Sequence, residues 1–189
     1  KIIFPFILPD GTLAMAKARD AEDGAKPIPT AANCEPVLFG WQAIDRNARE
    51  VAICEGEIDA LSLATCGIPA RSVPFGGGGK GKQNWIGNEF DRLEQFEKIY
   101  IATDMDEVGE QAASEIAQRL GRHRCYRVKL PHKDANECLM KGVPHETIQK
   151  AFADAASLDP EGLRRAGEFA NDVIRLFWPA HEDHIGYSI

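Results

Sequence analysis

Apolar and polar positions along the chain predict a hairpin followed by alternating strands and helices. Residues 2–8 and 12–19 are apolar runs joined by Pro9-Asp10-Gly11, which is typical of a β-hairpin. From residue 50 onward, period-two and helical patterns follow each other in turn. We predict strands at 50–54, 71–75, 98–103 and 124–130, and helices at 57–66, 83–95, 107–120, from near Pro144 and after Asp159.

This alternation favours an α/β fold with a mainly parallel sheet flanked by crossover helices. The helix at 107–120 has the clearest signal, because Val108, Ala112, Ile116 and Leu120 recur at four-residue steps. We expect this stripe to pack against the sheet.

Two of the predicted strands run directly into acidic residues. Glu55 follows the strand at 50–54, and Asp104 and Asp106 follow the strand at 98–103. The carboxyl ends of parallel strands line one edge of a sheet, so these side chains should meet there. Carboxylates repel one another unless a hard cation neutralises them, and oxygen-only ligation suits Mg²⁺. The pattern therefore predicts a magnesium-dependent phosphoryl-transfer site.

Two further acids lie near the same predicted edge. Asp59 falls in the first turn of the helix at 57–66, where negative charge is favoured. Asp134 follows the strand at 124–130, and its alternative role is to cap the next helix. Either acid can join the cluster or simply begin a helix.

A calcium loop and a nucleotide-binding P-loop are the rival motifs. Asp104 to Glu115 partly matches the calcium-loop pattern, but Val108 stands where an oxygen ligand belongs. The segment from Gly76 to Gln83 nearly matches a P-loop, but Gln83 replaces the required Ser or Thr hydroxyl. We reject both motifs.

Several cations are candidates for phosphate contacts. Lys80 and Lys82 lie in the glycine-rich segment, which is equally well explained as a surface loop. Lys17 and Arg19 share one face of the second strand, and Lys26 follows in a loop. They suit a nucleoside triphosphate or a template backbone, whereas a charged, solvated edge strand is the alternative.

The composition of the chain limits which of these functions are possible. The chain has 189 residues, a formal net charge of −7 and five cysteines without a C-x-x-C pair, so we expect reduced thiols. The acidic balance argues against tight nonspecific DNA binding but permits a metal-assisted template contact. The chain begins at Lys1 and has no signal peptide or apolar run long enough for a bilayer. We expect a cytoplasmic piece of a longer protein, without membrane contact.

Three ordered motifs resemble the Toprim domain, particularly that of phage-type bifunctional primase-helicases, the Twinkle-like group, and more distantly that of DnaG-type primases. They are Glu55-Gly-Glu-Ile-Asp59, Asp104-Met-Asp-Glu-Val-Gly109 and Lys133-Asp-Ala-Asn-Glu-Cys138. The resemblance covers about residues 1–157. It implies a small N-terminal, mainly β subdomain of a primase core at 1–48 and a Toprim domain at 49–157. Residues 158–189 would form a linker helix and tail towards a helicase domain.

The resemblance also implies an activity, which is template-directed synthesis of RNA primers from ribonucleoside triphosphates on single-stranded DNA. Mg²⁺, with Mn²⁺ as a possible substitute, would be held by Glu55, Asp104 and Asp106, with Glu55 as ligand or general base. Asp59 and Asp134 would support the site. Lys17, Arg19 and Lys26 would contact nucleotide or template phosphates. Asn136 departs from DnaG-type enzymes, which have Asp at this position.

The resemblance further implies partners and a cellular setting. The full-length protein would carry zinc-binding and helicase modules, with a possible hexamer formed through the helicase, in a bacterial or phage-infected cytoplasm. Two other functions remain open. One is Toprim-type nuclease or topoisomerase-like cleavage, although Tyr100, Tyr126 and Tyr187 are poorly placed as nucleophiles. The other is a non-catalytic interaction module coupled to a helicase.

Overall fold

A computed structural model describes residues 1–20, 34–76, 82–159 and 161–162. Its helices are α1 (Glu57–Thr65), α2 (Trp85–Leu93), α3 (Glu107–Leu120), α4 (Ala135–Met140) and α5 (His145–Ala153). Its strands are β1 (Ile2–Ile7), β2 (Leu13–Arg19), β3 (Glu50–Cys54), β4 (Ala70–Ser72), β5 (Lys98–Ala102), β6 (Cys125–Arg127) and β7 (Ala156–Ser157).

The central sheet has five strands in the order β4-β3-β5-β6-β7. The first four run parallel, and β7 pairs antiparallel with β6. This arrangement confirms the predicted α/β fold with a mainly parallel sheet. The adjacent strands β3 and β5 are in register from Glu50 and Lys98 to Cys54 and Ala102, so both end at the same edge.

Alternate residues of the central strands supply a separate core on each face of the sheet. Ala52 and Cys54 join the core that contains α1 and α5, whereas Val51 and Ile53 join the core that contains α2 and α3. Burial on both faces explains why β3 is an uninterrupted apolar run.

The N-terminal hairpin packs against the first of these cores. Strands β1 and β2 pair antiparallel, and Phe4, Phe6 and Met15 are buried in the same cluster as Leu63 of α1. Both phenylalanine rings contact Phe39 edge-on. The small β subdomain is confirmed, while its predicted limit at residue 48 stays a prediction.

Several predicted bounds require correction. The strand predicted at 71–75 is Ala70–Ser72, because Pro74 has no backbone N–H for a sheet ladder. The strand predicted at 124–130 is Cys125–Arg127, because its pairing with β5 runs only from Ile99–Cys125 to Ile101–Arg127. Val128 and Leu130 are nevertheless buried, which is why the sequence pattern continues past the strand.

The prediction of the buried stripe on α3 is also partly wrong. The helix spans the predicted residues 107–120, and Ala112, Ile116 and Leu120 are buried, but Val108 is 49% exposed. Gly109 lies against the sheet edge in its place.

The structure divides into two units, Lys1–Leu158 and Asp159–Ile189. The predicted linker helix falls almost entirely on residues outside the described ranges. Within those ranges, no helix combines the length and the apolar character needed to cross a bilayer. All five cysteines are free thiols.

Candidate active site

The acidic ends of β3 and β5 meet at one edge of the sheet. The Glu55 Oε1 atom accepts a hydrogen bond from the backbone N–H of Asp104 at 3.2 Å, across 49 positions of sequence. The parallel register of the two strands places them side by side, as the sequence predicted.

The turn after β3 brings Asp59 back towards this edge. A Cβ atom at Gly56 would lie 2.7 Å from the Asp59 Oδ2 atom, so a side chain there would displace the Asp59 carboxylate. Asp59 Oδ1 accepts a hydrogen bond from the backbone N–H of Asn136 at 3.0 Å. Asp59 therefore connects the start of α1 to the start of α4.

Gly109, in the first turn of α3, fixes the loop between β5 and α3. A Cβ atom at Gly109 would lie 2.1 Å from the carbonyl oxygen of Asp104, a distance that no side chain can adopt. Asp106 caps α3 by accepting a hydrogen bond from the Gly109 N–H at 2.9 Å. The Thr103 hydroxyl donates to the Gly109 carbonyl at 2.7 Å. The D-x-D-x-x-G motif thus sets the backbone that presents both aspartates.

The segment after β6 completes the edge. The backbone N–H of Met105 donates to the carbonyl of Lys133 at 2.7 Å, which ties this segment to the β5 loop. Lys133 Nζ forms an ion pair with Asp104 Oδ2 at 3.0 Å. Asp134 caps α4 by accepting from the Glu137 N–H at 2.7 Å.

Burial and mutual repulsion change the acidity of two of these carboxyls. Burial is the main cause that raises the pKa of Asp59 to about 7, opposed by the Asn136 N–H and reinforced by Asp134 and Asp104. Burial also raises the pKa of Asp104, while Lys133 acts in the opposite direction. The edge is therefore a site of concentrated negative charge that a cation would relieve.

The donor set fits a hard divalent cation in its chemistry. Glu55, Asp104 and Asp106 offer carboxylate oxygens, which are the ligands that Mg²⁺ prefers. In the described ranges, no three His, Cys, Asp or Glu side chains are already arranged to hold one ion together. Asp104 Oδ2 is paired with Lys133, which would compete with a metal for this carboxylate. The ligand set stays a prediction.

A buried arginine, which sequence reasoning missed, supports the loop that follows β5 by hydrogen bonds to its backbone carbonyls. Arg127 is 4% exposed and donates to the carbonyls of Ile101, Thr103 and Asp104 at 3.0–3.2 Å. It also forms an ion pair with Glu110 at 2.6 Å. A charged residue inside a short strand gives no periodic signal, so only the three-dimensional contacts reveal its role.

Of the predicted phosphate-binding cations, Lys17 lies in an unexpected setting. Lys17 Nζ pairs with Glu57 Oε1 at 2.5 Å, and both side chains are nearly buried. Arg19 and Lys82 are exposed, whereas Lys26 and Lys80 lie outside the described residues. Gln83 is buried and its Oε1 accepts from the Trp85 indole N–H at 2.7 Å, which is a structural contact.

Comparison with known proteins agrees with this geometry. The profile of the Toprim-like family matches residues 52–139, which contain all five acids of the edge. Residues 52–139 form a Toprim-like domain.

Two curated proteins are similar to this chain over most of its length. The Twinkle homolog protein, chloroplastic/mitochondrial, of Arabidopsis thaliana is 35% identical over 172 residues, which is 80% of this chain and 24% of that protein. The DNA helicase/primase of Enterobacteria phage T3 is 29% identical over 180 residues, which is 94% of this chain and 30% of that protein. The chain thus spans less than a third of either relative.

A solved structure of bacteriophage T7 primase domains is similar in fold as well as sequence. It is 29% identical, has a TM-score of 0.68, and the match covers 82% of this chain and 78% of that one. That structure is a complex of the lagging-strand DNA polymerase with the primase domains of two subunits, an RNA/DNA hybrid and dTTP. This Toprim chain therefore has the fold of a primase domain.

Proposed function

We propose that the chain is the catalytic core of a DNA primase that synthesises RNA primers from ribonucleoside triphosphates on single-stranded DNA. The observation that carries the proposal is the contact of Glu55 with the Asp104 loop. It assembles the acids of two separate strands at one edge of the sheet. The names of the phage T3 and T7 relatives support primase chemistry rather than another Toprim activity.

The reaction joins a 3′-hydroxyl oxygen to the α-phosphorus of an incoming ribonucleotide and releases pyrophosphate. Glu55, Asp104 and Asp106 would hold Mg²⁺, or Mn²⁺ in its place, which supplies positive charge against the reacting oxygens. Glu55 would serve as a ligand or accept the proton of the 3′-hydroxyl. Positioning and charge stabilisation dominate such phosphoryl transfer, so a rigid loop around Asp104 is important.

Asp59 and Asp134 would support the site from α1 and α4. Asp59 connects the two helices through the Asn136 N–H, and Asp134 caps α4. Their negative charge adds to the attraction of the edge for divalent ions.

We assign the exposed cations Arg19 and Lys82, together with Lys26 and Lys80, to nucleotide or template phosphates. Lys17 differs from them because its ammonium group is nearly buried against Glu57. In this proposal Lys17 holds the hairpin in place, and a phosphate contact would require the ion pair to open.

The proposal extends to the longer protein. The domain at 49–157 would act together with the small subdomain at 1–48, and 158–189 would lead to a helicase module. A zinc-binding module would read the template, and a hexamer would form through the helicase. This chain matches less than a third of the Arabidopsis and phage T3 relatives, so each relative is long enough to contain such modules.

The direct test is a template-directed assay with Mg²⁺ and ribonucleotides, with a zinc-binding module supplied in trans. The wild-type chain is compared with Asp104→Ala combined with Asp106→Ala, and with Asp154→Ala as an exposed control in α5's C-cap. Loss of dinucleotide synthesis in the double variant alone supports the proposal. Loss of metal-dependent nicking would instead support a nuclease, and no activity despite metal binding would support an interaction module.

A further inference from the structure

One cation lies within the acidic edge itself and has no part in the roles assigned above. Lys133 Nζ is 3.0 Å from Asp104 Oδ2, with the Lys133 side chain 55% exposed and the Asp104 side chain 19% exposed. Asp104 and, more weakly, Asp106 and Asp134 raise the pKa of Lys133, so all three carboxylates attract its ammonium group.

The backbone of Lys133 is firmly fixed, although its side chain extends into solvent. Its carbonyl accepts from the Met105 N–H at 2.7 Å, and its own N–H donates to Glu137 Oε2 at 3.0 Å. The first bond joins it to the loop that carries Asp104 and Asp106. If the ammonium group releases Asp104, the flexible four-carbon stem still keeps it within reach of the same edge.

We propose that Lys133 is an exchangeable counterion that pairs with Asp104 in the metal-free protein and binds nucleotide phosphate after a divalent cation takes over that carboxylate. This inference rests on the proposed function, since it assumes that the edge binds metal and nucleotide together.

The exchange follows from charge and exposure. Lys133 already neutralises part of the Asp104 charge, so it competes with a divalent cation for this carboxylate. A half-exposed ion pair is weak and gives way at small cost to a divalent ion held by several carboxylates. The displaced ammonium group then lies next to a newly positive centre, and the phosphates of a metal-bound nucleotide would offer it acceptors of opposite charge there.

A charge-removing variant gives opposite effects on the two ligands. In Lys133→Met, we expect Mn²⁺ to bind roughly two- to fivefold more tightly without nucleotide, because its competitor is gone. We expect ATP, at saturating Mn²⁺, to bind roughly fivefold or more weakly, because a phosphate contact is lost. Manganese binding is followed by electron paramagnetic resonance of the free ion, and ATP binding by calorimetry.

The matched control is Lys150→Met, which removes a lysine that is 72% exposed and paired with Asp154 at the C-cap of α5. It should change neither affinity. Unchanged or weaker Mn²⁺ binding by Lys133→Met, or unchanged ATP binding, would overturn the inference. The inference can fail in this way while the proposed function stands, provided that the wild type binds both ligands and Asp104→Asn abolishes Mn²⁺ binding. A wild-type chain that binds no Mn²⁺ would overturn both.

Discussion

Glu55 and Asp104 are held together by a hydrogen bond from the Asp104 backbone to the Glu55 carboxylate, at 3.2 Å. The bond crosses from the end of β3 to the end of β5 and links the two motifs that carry the acids. It places one carboxylate against the loop that presents two others. The site therefore depends on the exact path of the backbone around Asp104.

The first prediction concerns Gly109. Gly109→Ala would place a methyl group against the Asp104 carbonyl, 2.1 Å from its oxygen, so the loop must shift. We expect the free energy of unfolding to fall by about 2–4 kcal/mol. Primer synthesis should fall with it, because the Asp104 and Asp106 carboxylates move. Urea denaturation and the primer assay measure the two effects.

Gly87 provides the control, since it is exposed in α2 and a Cβ atom added there would have nothing within 4 Å. Gly87→Ala should be neutral or stabilising by up to about 1 kcal/mol, because alanine favours the helix. Equal effects of the two substitutions would contradict the tight contact at Gly109.

The second prediction concerns the ion pair between Lys17 and Glu57. Their side chains are 12% and 11% exposed, so removing either partner leaves a charge in a poorly solvated place. A double-mutant cycle with Lys17→Met and Glu57→Gln should give a coupling free energy of about 1–2 kcal/mol in urea denaturation. Independent effects of the two substitutions would show that Lys17 does not hold the hairpin.

The pair of Lys98 and Glu50 is the reference for that cycle. It joins β5 to β3 at 3.2 Å, but its side chains are 45% and 50% exposed. Water screens such a pair, so its coupling should be clearly smaller.

The third prediction is a pH dependence caused by Asp59. Its pKa is about 7 in the folded protein, against 3.8 for an ordinary aspartate. Between these values the folded protein binds more protons than the unfolded chain, so stability falls as pH rises. Asp59→Asn should remove this decline, seen as a smaller loss of unfolding free energy between about pH 4.5 and about pH 7.5 without metal.

Glu110 has the opposite sign and serves as the comparison. The hydrogen bond from Arg127 is the main cause that lowers the pKa of Glu110. Its stabilising effect is present above the ordinary glutamate pKa of 4.5 and is lost as pH falls through its lower folded value. Glu110→Gln should therefore flatten only the acid side of the plot of unfolding free energy against pH.

If Asp59→Asn loses as much unfolding free energy with rising pH as the wild type, Asp59 is not the protonated group.

The fourth prediction concerns Arg127. In Arg127→Lys, the ammonium group cannot replace a planar guanidinium that donates to four carbonyls and to Glu110. We expect a loss of about 3–5 kcal/mol in unfolding free energy and of primer synthesis. Arg49→Lys is the control, because Arg49 is 70% exposed and its contact with Glu97 is 3.7 Å long. Wild-type stability in Arg127→Lys would show that the loop after β5 does not depend on the hydrogen bonds of the Arg127 guanidinium.

The sequence predicted those parts of the fold that produce long or repeated signals. The hairpin, α3 and the end of β3 were predicted within one or two residues, because alternation, helical spacing and turn residues all agree there. Helix α4 has six residues and β7 has two, and such short elements show no period. Helix α4 forms where it packs against α1, and β7 forms where it pairs with β6.

For the site, sequence showed the acids but not their partners. Two acidic strand ends predict a shared edge because parallel strands carry them there. The contacts of Lys133 with Asp104 and of Lys17 with Glu57 join residues 29 and 40 positions apart, and no local pattern encodes them. Buried charges such as Arg127 look, in sequence, like solvated ones.

The most direct measurement for the central claim is cleavage of the protein backbone by bound Fe²⁺ in the presence of ascorbate and peroxide. Iron that replaces Mg²⁺ produces hydroxyl radicals, which cut the chain close to the ion. We predict cuts next to Glu55 and next to Asp104 and Asp106, suppressed by excess Mg²⁺ and absent from Asp104→Asn. Cuts elsewhere in the chain, or the same cuts in Asp104→Asn, would contradict a shared metal site at this sheet edge.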